Sequence, residues 1–166
     1  ARTAACLSPT GSGGRVTQYR WVAHDDPIMQ QVLDLRFDVL MAPFGVTRDD
    51  DWDDADPASL HLVAVEDGRA VGYARLIIHG GEGQVRQVAV AFDRQRSGIG
   101  SRLMREVCAK AVDCGLDVVY LHARHTAESF YTRLGFVRVS EEAFPFGRTG
   151  MPHVRMEYRP GIGATS

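Results

Sequence analysis

Between residues 15 and 158 the apolar positions recur at two spacings, and each change of spacing marks an element. "RVTQYRWV" (15–22) alternates polar and bulky residues, the period of a first strand. Asp26 and Pro27 predict a helix start, a cap followed by a residue preset for the first turn. Met29, Val32, Leu33, Phe37 and Leu40 form the apolar stripe of that helix, and "APFG" ends it. "LHLVAVEDGRAVGYARLII" (60–78) is two apolar-rich runs joined at Glu66-Asp67-Gly68-Arg69, a hairpin. "HGGEG" turns the chain into "GQVRQVAV", an alternating strand that ends at Val90. From Gly98 the spacing becomes helical, with Ile99, Leu103, Val107 and Ala111 on one row and Met104, Cys108 and Val112 beside it, until Gly115. "DVVYLHA" is a short buried strand, "HTAESFYTRLGF" a helix capped by Thr126 and closed by Gly135, and "FVRVS" and "HVRMEY" are two final strands.

This order predicts a mixed α/β sheet with helices packed against it. Residues 15–158 contain neither a repeat nor a linker and read as one domain, with 1–14 and 159–166 as flexible tails. The net charge of −2 lacks the basic footprint that nucleic acid requires. No apolar run is long enough to span a membrane. Three cysteines make neither a disulfide framework nor a zinc-ligand spacing, so a reducing cytoplasm is the expected compartment.

The candidate chemistry begins where strand gives way to helix, at "RQRSGIGSRLM" (94–104). A helix N-terminus offers unpaired amides and the positive end of its dipole. Gly98 and Gly100 leave those amides bare, and Arg94, Arg96 and Arg102 add positive charge, which together suit a phosphate-bearing ligand. The competing reading is a tight turn that lets helix and sheet pack closely. The segment is not a P-loop, for no Gly-Lys-Ser/Thr follows, and Leu103 stands where a dinucleotide fingerprint needs its third glycine.

"QRSGIG" (95–100) fits the Q/R-x-x-G-x-G/A pyrophosphate motif, and "AESFYTRLGF" (127–136) fits A-x-x-F/L-Y-x-x-L-G-F throughout. With these two motifs at this separation, residues 15–158 resemble the GNAT superfamily of acetyl-CoA-dependent N-acetyltransferases. "LRFDVL" and "GMPH" resemble an ElaA-like bacterial branch of it. Arg124 departs from the pattern, since many relatives carry Asn seven residues before the helix tyrosine.

The resemblance implies a single-domain fold, a mixed, mostly antiparallel twisted sheet of about seven strands flanked by about four helices. It implies acetyl-CoA as co-substrate, with its pantetheine arm paired to Val88, Ala89 and Val90 and its diphosphate on Gln95, Arg96, Ser97, Gly98, Ile99, Gly100 and Ser101. Val90 would offer an oxyanion donor. Tyr131 would protonate the leaving thiolate from the edge of a stripe made by Ala127, Phe130 and Leu134. His153, Glu142, His122 and Glu82 are candidate bases, a relaying water being the alternative. No carboxylate completes a ligand set with "HARH" (122–125), so no metal is expected. A homodimer is the family's common state.

"RDDDWDDADP" (48–57) holds six aspartates. It is either a solvated loop or, bordering the acceptor cleft as the resemblance implies, a site for a polycation, with Asp51, Trp52, Asp53 and His122 as acceptor contacts. The first reading of function is transfer of acetyl to a primary amine of a small polycation, an aminoglycoside antibiotic or a polyamine. Acetylation of a protein lysine or N-terminus, and a non-catalytic acyl-CoA-binding module, are the alternatives.

Overall fold

The computed structural model describes residues 16–48, 56–147 and 149–161. Its elements are β1 (Gln18–Val22), α1 (Met29–Arg36), β2 (Leu60–Glu66), β3 (Arg69–His79), β4 (Glu82–Val90), α2 (Ile99–Asp113), β5 (Val118–Arg124), α3 (Glu128–Arg133), β6 (Val137–Arg138), β7 (Phe144–Phe146) and β8 (Met151–Tyr158). The strands form one eight-stranded sheet in the order β1-β2-β3-β4-β5-β8-β6, with β7 on β8. Only β4 and β5 run parallel. This is the mixed, mostly antiparallel sheet expected, with one strand more, because "FPF" is too short to show a period.

The β2–β3 hairpin turns at Asp67 (φ 48°) and Gly68 (φ 75°), the paired positive φ values of a type I′ turn. Both faces of β3 are buried from Ala70 to Ile77. Helix α2 covers one face: a Cβ on Gly72 would lie 2.8 Å from Ile99 Cγ2 and 3.1 Å from Leu103 Cδ1, so a side chain there would push the helix off. Helix α1 covers the other face, where the Arg36 guanidinium sits over the Tyr73 ring. Two-sided burial is why "AVGYARLI" is a nearly continuous apolar run.

The row Ile99, Leu103, Val107 and Ala111 is buried as the spacing predicts, but Val112 is 57% exposed, one step beyond the stripe. In α1 the buried positions are Met29, Val32, Leu35 and Arg36, while Leu33, Phe37 and Leu40 are half-buried. After Arg36 the chain widens into a turn of π-helix, Phe37–Met41, which rotates the stripe away from its ideal row. Asp26 Oδ1 accepts the Ile28 N–H at 2.9 Å in the turn ahead of α1, whose N-cap residue is Ile28 rather than Asp26. Thr126 caps nothing: His125–Ala127 is a 3₁₀ turn, and α3 starts after it with no side-chain cap.

Candidate active site

The sheet opens in its middle. β4 and β5 are paired only from Glu82–Val85 to Val118–Leu121, yet β4 continues to Val90 and β5 to Arg124. Each is held on its outer side, β4 by β3 up to Val90 and Gly72, β5 by β8 up to Arg124 and His153. Their inner edges diverge and leave main-chain groups without a sheet partner, which are costly to bury unless a ligand takes them up. The wedge leads into a cavity of about 550 Å³.

A bulge starts the divergence. Tyr73 and Arg75 are two residues apart, whereas their partners Ala89 and Arg86 are three apart, so β4 carries one extra residue there. Gln87 takes a left-handed conformation (φ 58°), a strained state for a residue with a side chain. Its buried Oε1 has no hydrogen-bond partner. The sequence signal is the adjacent polar pair Arg86-Gln87, which interrupts the alternation of "GQVRQVAV" and which a straight strand reading passes over.

At the outer end of β4 the chain makes a short 3₁₀ turn, Phe92–Arg94, then reverses through Arg96 (φ 62°) and Gly98 (φ 88°) into α2. The first helical bond is from Arg102 N–H to the Gly98 carbonyl, so the amides of Ile99, Gly100 and Ser101 are left to a ligand. No atom lies within 4 Å of where a Cβ on Gly98 would be. A Cβ on Gly100 would lie 3.4 Å from Phe130 Cζ, an ordinary contact where α2 meets α3. Gln95 Nε2 donates to the Val90 carbonyl at 3.1 Å, and Ser97 Oγ donates to the Arg94 carbonyl; both side chains hold the loop in shape.

Three arginines counted as phosphate partners separate here. Arg94 turns inward and grips the buried Glu66 carboxylate through two bonds of 2.8 and 2.9 Å. Arg102 pairs with Glu106 at 2.8 Å. Only Arg96 remains exposed without a carboxylate among the described residues.

Tyr131 lies on the cavity wall. It is the buried residue of α3, and Ala127, Phe130 and Leu134 are half-buried around it, the reverse of the expected edge position. Burial pushes its phenol up to about 12, and only the nearby Arg124 guanidinium pulls it down. The hydroxyl is therefore always protonated at neutral pH.

His153 also lines the cavity. Its Nδ1 lies 2.6 Å from the Met151 carbonyl, an acceptor only, so Nδ1 carries the proton and Nε2 is the basic nitrogen. His122 lines the same wall, its ring 4.2 Å from that of Phe146 and its buried Nδ1 without a partner. Burial, reinforced by Arg155, His153 and Arg86, lowers its pKa and keeps it neutral. Glu142 is exposed on a bend outside the cavity lining and Glu82 is at the far end of β4, so the structure brings neither to the site. Asp51, Trp52 and Asp53 lie outside the described residues.

Sequence reasoning missed Gln84, Leu40, Met41, Phe146 and Thr149 as lining residues. They arrive from β4, from the end of the first helical segment and from the β7–β8 hairpin, and no local pattern marks them. Among the described residues no helix is long and apolar enough to cross a membrane.

Comparison with known proteins agrees with this geometry. The chain is 24% identical over 135 residues to the uncharacterized N-acetyltransferase YjcF of Bacillus subtilis, covering 81% of this chain and 95% of that one. An acyl-CoA N-acyltransferase from Pseudomonas aeruginosa superposes with a TM-score of 0.72 at 26% identity, covering 86% of this chain and 99% of that one. Escherichia coli ElaA shares the fold with a TM-score of 0.74 at 21% identity, over 87% of this chain and all of that one (100%). The model of the acetyltransferase (GNAT) family matches residues 29–136, and the chain belongs to that family.

Proposed function

We propose that this chain transfers acetyl directly from acetyl-CoA to a primary amine of a small acceptor. The observation that carries the reading is the opening between β4 and β5 with a bare helix N-terminus at its outer end. The inner edge of β4, residues 87–90, pairs with the amide-bearing pantetheine arm as an added strand would, and Gln87 Oε1 accepts one of its N–H groups. The diphosphate rests on the amides at Ile99–Ser101. Fixing the long carrier at two places holds the thioester still and lowers the entropic cost of attack.

An alkylammonium with a pKa of about 10.4 cannot attack until it loses a proton. His153 Nε2 takes that proton, because its Nδ1–H is committed to the Met151 carbonyl. The amine nitrogen then bonds to the carbonyl carbon, the Val90 amide steadies the oxyanion, and the C–S bond breaks while the nitrogen gives its surplus proton to solvent, leaving amide and thiolate. Tyr131 donates to the departing sulfur. Against a thiol of pKa about 8.5 its phenol is too weak an acid to give up the proton early, so it serves first as a hydrogen bond to the developing negative charge.

The polycationic acceptor suggested by the acidic run depends on residues 49–55, outside the described residues, while the described lining holds Arg86, Arg124, His122 and His153 and no carboxylate. An aminoglycoside 6′-N-acetyltransferase (18% identical, TM-score 0.66) and the Escherichia coli ribosomal-protein-S18-alanine N-acetyltransferase (15%, 0.70) have this fold, so fold does not choose the acceptor. A non-catalytic carrier-binding module would not need a protonated phenol and an oriented imidazole on one cavity wall. The test is free-thiol release from acetyl-CoA across an amine panel, with Tyr131→Phe alongside. Release that needs the phenol supports the mechanism; release unchanged in the variant removes Tyr131 from it.

A further inference from the structure

Among the described residues the lining of the cavity is basic, and Arg124 has no carboxylate partner there. Residues 122 and 124 of β5 share one face of the sheet, and residues 153 and 155 of β8 stand opposite 124 and 122 in register. His122, Arg124, His153 and Arg155 therefore form one block. Arg155 is engaged, lying over the Tyr120 ring and beside Glu157 at 3.7 Å.

Arg124 is held differently. Its Nη2 donates to the Leu40 carbonyl at 3.2 Å, and its guanidinium lies 4.1 Å above the Phe44 ring. These contacts fix the plane of the group on the cavity lining, and no carboxylate pairs with it among the described residues. Burial lowers its pKa, and only Tyr131 works the other way. A rigid fork of N–H donors, half desolvated and pre-oriented, is what planar recognition of a carboxylate requires.

We propose that the acceptor is a small amino carboxylate, whose own carboxylate is bound by Arg124 while its amine is deprotonated by His153. The two residues are an antiparallel pair, with Cα atoms about 4.5–5.5 Å apart, so the amine and the carboxylate are separated by only a few bonds. Leu40, Met41 and Phe146 surround the middle of such a molecule with apolar surface. A polyamine or an aminoglycoside would bring further positive charge against Arg124 and is disfavoured.

The inference rests on the proposed acetyl transfer, and the experiment separates the two. Common L-amino acids, β-alanine and γ-aminobutyrate are each compared with their carboxamides as acceptors by thiol release, while calorimetry follows coenzyme A. The expected result is a KM about 10- to 100-fold lower for at least one acid than for its amide. Arg124→Met erases that preference and leaves coenzyme A affinity unchanged, and Arg124→Lys restores part of it. Equal use of acid and amide, a preference that survives in Arg124→Met, or coenzyme A binding with release only from polyamines overturns the inference and leaves the transferase reading standing. Absence of coenzyme A binding overturns both. The acid–amide comparison needs no variant, so it decides the matter even if Arg124→Met fails to fold.

Discussion

In the proposed function the carrier side of the cavity is made of main chain: the bulged inner edge of β4 and the first turn of α2. The acceptor side is made of side chains that β5, β7, β8 and the end of the first helical segment bring together. On the proposed reading the first would recognise features shared by every acyl-CoA, namely a diphosphate and a chain of amides, which main-chain amides and carbonyls can meet without any particular side chain. The second must tell one amine from another, and only side chains vary enough for that. A single fold can then keep its carrier grip while its acceptor changes.

The sharpest way to break this comparison lies at the junction of the two halves. Replacing Tyr131 with Phe is expected to lower kcat by about 10²- to 10⁴-fold with coenzyme A affinity unchanged, read by steady-state kinetics beside calorimetry. A variant that instead loses coenzyme A affinity would assign the phenol to the carrier side. Because burial raises the phenol to about 12, its protonated, active form persists upward in pH. The wild-type rate should therefore show no alkaline limb from Tyr131 up to about pH 10, where an ordinary tyrosine would be half ionised.

Gly98→Asp tests the main-chain half. Asp tolerates the positive φ of this position better than most residues, so the fold survives while its carboxylate faces the diphosphate. The expected loss is about 100-fold in coenzyme A affinity, with the acceptor KM little changed. Next in size, His153→Gln should lower kcat by about 10- to 100-fold with coenzyme A affinity unchanged. A full rate would hand the proton to a water. The smallest effect is expected from Phe44→Leu, which removes the ring beneath Arg124 and costs about 1 kcal/mol, a few-fold rise in acceptor KM alone.

The same division explains what could be read from the sequence. The strand-to-helix turn was legible because it is local: Gly98 takes the positive φ (88°) that lets the chain reverse into α2. The hairpin and the α2 row were legible for the same reason, since each is a local spacing with a local cause, whereas Tyr131 was expected at the edge of its stripe and is instead the buried residue of α3. The acceptor wall was not. Arg124 and His153 are 29 positions apart in the chain and face each other only because β5 pairs with β8. Phe146 comes from a strand of three residues, and Glu142 looked as good a base as His153 until the bend turned it to solvent. Arg94 misled because local charge does not show direction, and its partner Glu66 lies 28 residues away.

The central claim is that one acyl carrier occupies both the inner edge of β4 and the first turn of α2. Amide hydrogen exchange with and without coenzyme A tests it most directly. Joint slowing at residues 87–90 and 98–101 is the predicted result. Unchanged exchange at both segments under saturating coenzyme A would contradict it.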